Sequence, residues 1–518
     1  MTMSFKFQRI ARPLHVLLVG ALTWAAACGT APSTAAGSRP NIVYILADDL
    51  GWGDVRCFNP GSRIPTPQMD RIAAEGLRFT DAHSGSAVCT PTRYGILTGR
   101  YCFRSRLKSG VLGGYSRRLI ERDRLTVAEL LRSEGYATAC FGKWHLGMDF
   151  PLKGGGFARD YPDQWRVDYS APIANGPTQL GFERYFGISA SLDMPPYVFL
   201  HDNRATAVPT VEKQWIRKGP AAESFEAEDV LPTLTRTAVE YLEDRKKQRD
   251  GKPFFLYLPL ASPHTPILPT PEWKGKSGLS PYADFVMQTD AAVGRIADAL
   301  DRLGQSSNTL LIVTSDNGCS PAAGFDELVA KGHRPSGRYR GHKADIFEGG
   351  HRIPFIARWP GHIRAGARTD RLTCLTDLMA TVSELLGRPL PPQAGEDSVS
   401  MLPALTGRAH DESDRRVIHH SINGSFALRK GRWKLALCPG SGGWSAPRPG
   451  RDSVAALPPV QLFDLAVDPG EKHNLQAERP DVVAALKAEL EDIVQKGRST
   501  PGPAQPTASP DPKAGMTD

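Results

Sequence analysis

The sequence predicts an α/β protein: a large α/β/α sandwich with a mostly parallel central sheet, followed by a small C-terminal α+β domain with an antiparallel sheet. Three continuous apolar runs have the length and composition of strands that are buried on both faces of a sheet. They occupy residues 41–47, 253–261 and 309–314. Segments with helical spacing of apolar residues separate these runs, and strands that alternate with helices predict a mainly parallel sheet with helices on both faces.

The intervening helices have their own sequence signals. Thr126 and Glu129 form a predicted capping box at the start of an apolar segment. Apolar residues recur at helical intervals over 230–246 and 284–303. These features assign residues 40–410 to the large domain, which we expect to be the catalytic one.

The pattern changes after the large domain. Residues 426–437 alternate like one half-exposed strand, residues 461–465 form a second short strand, and residues 480–495 form an amphipathic helix. A small antiparallel sheet with a closing helix is therefore predicted over residues 411–498. The proline-rich segment 499–518 predicts a disordered tail.

The N-terminus has the layout of a bacterial secretory signal. Residues 1–12 carry only positive charge, and a short apolar run follows that ends in small residues before Cys28. The run is too short to cross a bilayer as a helix, so residues 1–27 predict a signal peptide and an exported protein. Two routes stay open: lipidation of Cys28, which gives a cell-envelope lipoprotein, or plain cleavage near Ala27, which gives a periplasmic or secreted protein. Residues 28–39 then form a flexible tether.

The composition is that of a globular protein. The 518 residues are 41% hydrophobic and 23% charged, and the formal net charge is +8. No long run of lysine and arginine occurs, so we expect no nucleic-acid partner. A mild basic excess fits a site that receives an anion. The eight cysteines form no CxxC pair and no zinc pattern.

Each of the three apolar runs ends in polar residues that can hold a metal or an anion. Asp48 and Asp49 follow the first run, His264 follows the second, and Asp316 and Asn317 follow the third. Ligands of open α/β sheets bind at the carboxyl ends of the strands. The coincidence at three separate strands predicts the functional site at this edge of the sheet.

One segment identifies the chemistry. Residues 89–100, CTPTRYGILTGR, resemble the signature of the type I sulfatases, the formylglycine-dependent family in the alkaline phosphatase superfamily. Further motifs of that family follow in its order from about residue 40 to 495, which makes an arylsulfatase-like bacterial member the expectation. They are DDLG at 48–51, GKWHLG at 142–147, SPHTP at 262–266, DNG at 316–318, GHK at 341–343, EGGHRIP at 348–354 and FDL at 463–465.

The resemblance implies hydrolysis of sulfate monoesters, of sulfated carbohydrates and also of aryl sulfates. It implies that a formylglycine-generating or sulfatase-maturating enzyme oxidises Cys89 to formylglycine, whose hydrate supplies the nucleophilic oxygen. The implied metal ligands are Asp48, Asp49, Cys89, Asp316 and Asn317. Because the carboxylates and the amide offer only oxygen, the set suits Ca²⁺, with Mg²⁺ as the alternative, and disfavours zinc.

The resemblance also assigns the remaining catalytic residues. Arg93 lies one helical turn after Cys89 and would orient the hydrate. Lys143 and His145 are two residues apart, so strand geometry would direct both to one face, where Lys143 binds sulfate and His145 removes a proton. His264 and Lys343 would contact sulfate and the leaving oxygen, with His264 as general acid. Ser191 matches a serine that reaches sulfate in some members of the family.

Two other functions stay open at this stage. The first is a phosphoester or phosphonate hydrolase of the same superfamily, because some of these share the cysteine motif. The second is a non-catalytic envelope lipoprotein that binds sulfated glycans. The complete set of six catalytic candidates disfavours the second, because binding alone does not require the cysteine signature.

Overall fold

The structure, a computed structural model, describes residues 39–409, 414–451, 454 and 456–508. The predicted signal peptide 1–27, Cys28 with its two processing routes, and nearly all of the tether lie outside the described residues. In chain order the strands are β1 (Asn41–Ala47), β2 (Leu77–Phe79), β3 (Ala82–His83), β4 (Ala137–Lys143), β5 (Arg184–Ile188), β6 (Leu200–His201), β7 (Arg204–Ala205), β8 (Val211–Gln214), β9 (Lys218–Ala221), β10 (Phe254–Pro259), β11 (Thr309–Ser315), β12 (Phe355–Arg358), β13 (Ala367–Thr369), β14 (Thr373–Cys374), β15 (Arg416–His420), β16 (Phe426–Lys430), β17 (Trp433–Ala436) and β18 (Gln461–Asp464). The helices are α1 (Pro67–Ala74), α2 (Cys89–Thr98), α3 (Val127–Ser133), α4 (Val230–Gln248), α5 (Pro281–Arg302), α6 (Phe325–Ala330), α7 (Glu348–His351), α8 (Leu378–Leu386), α9 (Leu402–Leu405) and α10 (Pro480–Lys496).

A ten-stranded sheet forms the centre of the large domain, in the order β13-β2-β12-β11-β1-β10-β4-β5-β6-β7. The run β11-β1-β10-β4-β5 is parallel throughout, and antiparallel pairs occur only towards the two edges. Every residue of β1, β10 and β11 is buried, as the continuous apolar runs predict. The predicted fold class is therefore confirmed.

Helices cover the sheet in two groups. Helix α4 packs on α5 and α5 on α1, whereas α2, α3 and α8 pack on one another. Thr126 caps α3 as the sequence predicts, because its side chain accepts a hydrogen bond from the Glu129 backbone N–H. Predicted helices 230–246 and 284–303 correspond to α4 and α5, with ends within three residues.

Close approach of the backbone at Gly142 brings β4 to the site. A Cβ at this position would lie 1.9 Å from the carbonyl oxygen of Pro259 on β10, and its φ of +148° also favours glycine. Only glycine therefore lets the end of β4 lie this close to β10, with Lys143 as its last residue.

The C-terminal sheet has the order β15-β16-β17-β18 and is antiparallel throughout, closed by α10. The single strand predicted over 426–437 is wrong, because the segment is a hairpin of β16 and β17 in which Lys430 pairs with Trp433. Gly431, with φ +52°, allows the turn. The alternating pattern continues through this short turn, so periodicity alone did not show it.

Residues from Arg39 onward form one compact unit, which includes the C-terminal sheet. Residues 499–508, placed in the predicted disordered tail, form backbone hydrogen bonds with the rest of this unit. The N–H of Gln505 donates to Lys496 O over 2.9 Å, and that of Ala508 donates to Arg104 O over 2.8 Å. The expected disorder therefore does not describe 499–508, and residues 509–518 lie outside the described residues.

Two further features concern membranes and disulfides. In the described part of the chain, no helix combines the length and apolar character that a membrane crossing needs. The described cysteines are all free thiols, and all but Cys57 are buried.

A buried ion pair joins the large domain to the C-terminal helix. Arg104 donates to Asp397 through Nε (2.8 Å) and Nη2 (2.9 Å), and through Nη1 to the Ile493 carbonyl of α10 (3.2 Å). Burial opposes ionisation of Asp397, but Arg104 outweighs it and holds the pKa of that carboxyl below its ordinary value. Asp397 also accepts hydrogen bonds from the N–H groups of Tyr101 and Ser499.

Replacement of Asp397 by alanine leaves the buried Arg104 guanidinium without a counter-charge. We expect Asp397→Ala to lower the free energy of unfolding by about 3–5 kcal/mol, measured by urea unfolding. The control is Asp298→Ala, which breaks an ion pair with Arg71 whose carboxylate is 65% exposed; its effect should stay within about 1 kcal/mol. Equal effects of the two substitutions would contradict the role of the buried pair.

Candidate active site

The predicted site residues meet at the carboxyl ends of the parallel strands. Asp48 and Asp49 directly follow β1, Asp316 directly follows β11, and the N-terminus of α2 brings Cys89 to the same place. Ligating atoms of Asp48, Cys89 and Asp316 lie within 4.8 Å of one another, and so do those of Asp48, Asp49 and His264. Segments far apart in sequence thus form one buried cluster.

Helix α2 positions both Cys89 and Arg93. Cys89 is its first residue, after extended Val88, and every side chain of the helix is buried. One turn later, Arg93 donates through Nε and Nη2 to Asp316 Oδ2 at 3.1 and 2.8 Å, and through Nη1 to the Lys143 carbonyl at 2.9 Å. Arg93 therefore connects the helix to the ends of β11 and β4.

Two lysines complete the charge balance of the cluster. Lys143 Nζ lies 2.6 Å from Asp48 Oδ2, and Lys343 Nζ lies 2.7 Å from Asp49 Oδ1. With Arg93, these lysines set three positive groups against the three carboxylates. Such pairing is required because burial of an unpaired charge is very costly.

The carboxyls of the cluster differ in acidity. Burial and the neighbouring Asp48 raise the pKa of Asp316 above its ordinary value, although Arg93 acts in the opposite direction. Burial would also raise the pKa of Asp48, but nearby positive charges, above all Lys143, hold it well below its ordinary value. Burial would lower the pKa of the Lys343 ammonium, yet Asp49 raises it above its ordinary value. The two contacts therefore favour the charged forms of Asp48 and Lys343.

His145 is arranged as a neutral base. Its Nε2 lies 2.7 Å from the Leu112 carbonyl oxygen, which can only accept, so Nε2 carries the proton and Nδ1 the lone pair. Nδ1 is buried and has no hydrogen-bond partner in the described part of the chain. Burial, together with Lys143 and Arg93, holds the pKa of His145 well below its ordinary value.

His264 and Ser191 differ in their relation to the cluster. His264 Nε2 lies 3.7 Å from Asp49 Oδ2, and burial together with Lys343 lowers its pKa. Ser191 is buried, and its hydroxyl makes no hydrogen bond within the described residues. The structure thus brings His264 into the cluster but joins Ser191 to it by no hydrogen bond.

The oxygen atoms of the cluster fit a hard divalent cation. Asp48 Oδ1 and Asn317 Oδ1 are both buried and have no hydrogen-bond partner among the described residues. The Asn317 amide donates to Asp49 Oδ1 over 2.7 Å, which leaves its own oxygen free to bind a ligand. Buried oxygens without a donor are costly, and a cation that binds oxygen would satisfy them.

Comparison with known proteins assigns the family. A family model described as Sulfatase matches residues 40–388. The chain belongs to the sulfatase family. It is 33% identical over 502 residues to an N-acetylgalactosamine-6-O-sulfatase of Bacteroides thetaiotaomicron, covering 88% of this chain and 93% of that protein. It is also 33% identical to human arylsulfatase A, covering 93% of each chain.

A solved structure from a study of glycosaminoglycan metabolism by Bacteroides thetaiotaomicron matches this sulfatase with a TM-score of 0.75. The two are 32% identical, and the match covers 88% of this chain and 99% of the other. The expected family and the expected activity, hydrolysis of sulfate esters, are therefore confirmed, and the enzyme is a sulfuric ester hydrolase. Nothing in these comparisons favours a phosphoester hydrolase or a non-catalytic lipoprotein.

The loops that carry the sulfatase site have unusual backbone conformations. Asp49, His145 and Ala344, which follows Lys343, have φ values of +66°, +54° and +80°. The left-handed region is unfavourable for residues other than glycine, and such residues cluster at functional sites, where the surrounding structure holds them. Three separate loops of the site thus contain a strained residue.

Sequence reasoning missed the residues that hold the Asp48–Asp49 loop. Tyr282 donates to Asp54 Oδ2 over 2.6 Å and also contacts the Asp49 carbonyl at 3.1 Å. Asp54 accepts from the Gly51 N–H as well. Asp54 lies close to the first metal motif in sequence, which was an available signal, but nothing in the sequence connects Tyr282 of α5 to that loop.

Asp316 is the residue whose loss most directly tests the metal assignment. We expect Asp316→Ala to lose both bound metal and sulfate release, because the substitution removes a ligand and leaves Arg93 without its partner. Inductively coupled plasma mass spectrometry and a sulfate-release assay measure the two effects. Asp492→Ala, at an exposed ion pair with Lys496, is the control. Full metal occupancy in folded Asp316→Ala would refute the assignment.

Proposed function

We propose that this sulfatase hydrolyses sulfate monoesters of sugars, and also aryl sulfates, with formylglycine made from Cys89 and a bound calcium ion. The substrate class is supported by the relative named N-acetylgalactosamine-6-O-sulfatase and the aryl activity by the relative named arylsulfatase A. The N-terminal leader supports export, either as a lipoprotein anchored through Cys28 or as a periplasmic or secreted protein cleaved near Ala27.

The observation that carries the proposal is the placement of Cys89 among oxygen ligands. Its thiol shares a buried cluster with Asp48 and Asp316, where the charges of Lys143 and Lys343 act on it. Burial raises the pKa of the Cys89 thiol, although Lys143 lowers it, so the neutral thiol is favoured and is a poor nucleophile. A thiol is also a poor ligand for a hard cation, whereas the hydroxyl groups of hydrated formylglycine are suitable ligands.

Calcium fits the ligand set better than magnesium. Asp48, Asp49, Asp316 and Asn317 form a buried set of protein oxygens. Ca²⁺ accepts six to eight such oxygens in flexible geometry, while Mg²⁺ keeps several waters and is bound through few carboxylates. Mg²⁺ remains the alternative. When bound, the cation acts as a Lewis acid that stabilises negative charge on oxygen.

The positive side chains of the cluster bind the sulfate group in this proposal. Lys143 and Lys343 already lie against the aspartates that would bind the cation. Once those carboxylates are neutralised, the two ammonium groups are available to sulfate oxygens, and Arg93 keeps Asp316 in place. Ser191 is the remaining proposed sulfate contact, supported by its buried hydroxyl, which has no hydrogen-bond partner among the described residues.

The two histidines divide the proton transfers. In this scheme one oxygen of the hydrated formylglycine, deprotonated and stabilised by the cation, would form the bond to sulfur while the bond from sulfur to the alcohol oxygen breaks, and His264 in its protonated form would give its proton to the leaving alcohol. His145 Nδ1 would then accept the proton of the second hydroxyl as the bond from carbon to the sulfate oxygen breaks, which releases sulfate and restores the aldehyde. The tautomer that Leu112 fixes supports the second role, because it leaves Nδ1 free to accept.

Active protein should contain formylglycine at position 89. Cys89 is only 2% exposed, so we expect its oxidation by the maturating enzyme to precede folding. Peptide mass spectrometry of protein from a host with that enzyme should show the aldehyde at position 89. The buried Cys102 and Cys140 serve as controls and should remain thiols. A fully reduced Cys89 in fully active enzyme would contradict the mechanism.

The role of His264 predicts a dependence on the leaving group. A sugar alcohol leaves poorly without a proton, whereas 4-nitrophenolate is already stable. We expect His264→Ala to lose at least tenfold more kcat/KM on a sulfated sugar than on 4-nitrophenyl sulfate.

His145→Ala is the matched comparison, because its step follows departure of the alcohol and should depend less on the leaving group. Circular dichroism and metal content check the fold of both variants. An unchanged slope of rate against leaving-group pKa in His264→Ala would assign the acid to another residue, with Lys343 the next candidate.

A further inference from the structure

A large cavity lies between the central sheet and the C-terminal sheet, away from the catalytic cluster. Its volume is about 740 Å³. Strands β2 and β13 line one side, and residues of β16 and of the turns after β16 and β18 line the other. None of the assigned catalytic or metal residues lines it. In the sheet order, β2 and β13 lie on the far side of β12 from β11 and β1, whose carboxyl ends carry Asp316, Asp48 and Asp49.

Arginines dominate the wall of this cavity. The cavity is lined by six arginines: Arg78, Arg338, Arg352, Arg368, Arg429 and Arg432. Three acidic residues also line it: Asp81, Glu348 and Asp370. Arg352 and Arg432 are paired with carboxylates. Arg338 and Arg368 are exposed and pair with no carboxylate of the described residues. The cavity therefore has unneutralised positive charge.

One of these arginines is buried with unused donors. Arg429 is 5% exposed, and only its Nη2 is paired, with Asp81 Oδ2 at 3.1 Å. Its Nε and Nη1 have no hydrogen-bond partner within the described residues. Unsatisfied buried guanidinium donors are costly, and an anion with two or more oxygens, such as a sulfate ester or a carboxylate, is the group that satisfies them best.

Aromatic rings accompany the charges. Trp52 lies edge-on to Tyr339 with centroids 5.0 Å apart, and Phe58 lies 5.9 Å from Trp52. All three line the cavity. Apolar ring surfaces beside charged donors suit a ligand with both apolar faces and anionic groups, as a sulfated sugar chain has, and a bare inorganic ion would leave the rings unused.

We propose that this cavity is a second, non-catalytic binding site for an anionic segment of a sulfated saccharide chain. The inference rests on the proposed saccharide substrates. The site would bind a distant part of a polymer and raise its affinity without contact with the reacting ester. Single sugars and aryl sulfates would bind only at the catalytic cluster.

The test measures binding of a chondroitin 6-sulfate hexasaccharide by calorimetry, in full-length protein with Cys89→Ala to prevent turnover. We expect Arg338→Ala/Arg368→Ala to weaken binding at least tenfold. The control, Arg236→Ala/Arg295→Ala, removes two exposed arginines of α4 and α5 and should change the affinity less than threefold. In protein with intact Cys89, kcat/KM for 4-nitrophenyl sulfate should stay within twofold in both double variants.

Equal losses of affinity in the two double variants would overturn the proposal, because only general charge attraction would remain. The proposal would also be overturned if the desulfated hexasaccharide bound with the same affinity as the sulfated one. It would likewise be overturned if sodium sulfate, at matched ionic strength, displaced the hexasaccharide as effectively as an excess of free hexasaccharide does. Sulfate release from the single sugar N-acetylgalactosamine 6-sulfate tests the substrate class separately. Activity on this sugar with unchanged hexasaccharide binding in the cavity variant would leave the proposed function intact and refute the second site.

Discussion

The organisation of the site depends on the burial of three carboxylates at one place. Asp48, Asp49 and Asp316 lie within a protein interior where each negative charge requires a positive partner. Arg93 of α2, Lys143 of β4 and Lys343 of the loop before α7 provide those partners. The same arrangement suits catalysis, because groups that neutralise carboxylates can also bind the oxygens of a sulfate ester when a cation takes over the carboxylates. The same positive side chains are therefore needed both to stabilise the buried carboxylates and to bind the substrate.

The topology of the parallel sheet brings these charged residues together. Carboxyl ends of neighbouring parallel strands meet at one edge, so short loops after β1, β11, β10 and β4 converge without long connections. Helix α2 then brings Cys89 and Arg93 to the same edge, one turn apart. Left-handed conformations at Asp49 and His145 show that the loops accept local strain to direct these side chains.

Much of this could be predicted from sequence, because the relevant patterns are local. Strand β1 has its predicted limits, and the limits of β10 and β11 differ from the predicted ones by at most two residues. The sequence motifs contained the residues of the buried cluster. Features that depend on distant contacts were not accessible: Leu112 fixes the tautomer of His145, and Tyr282 holds the Asp54 loop. The hairpin at Gly431 was missed because alternation continues through its turn. The arginine cavity joins β2, β13 and the C-terminal sheet, which no sequence spacing connects.

In the proposed site, a side-chain oxygen of residue 89 is one of the ligands of the hard cation. The most direct measurement compares calcium affinity, by calorimetry, of protein that contains formylglycine with protein that retains the Cys89 thiol. A thiol is a poor ligand for calcium, so the account predicts at least tenfold weaker binding in the thiol form, with an unchanged fold. Equal calcium affinity in the two forms would contradict it.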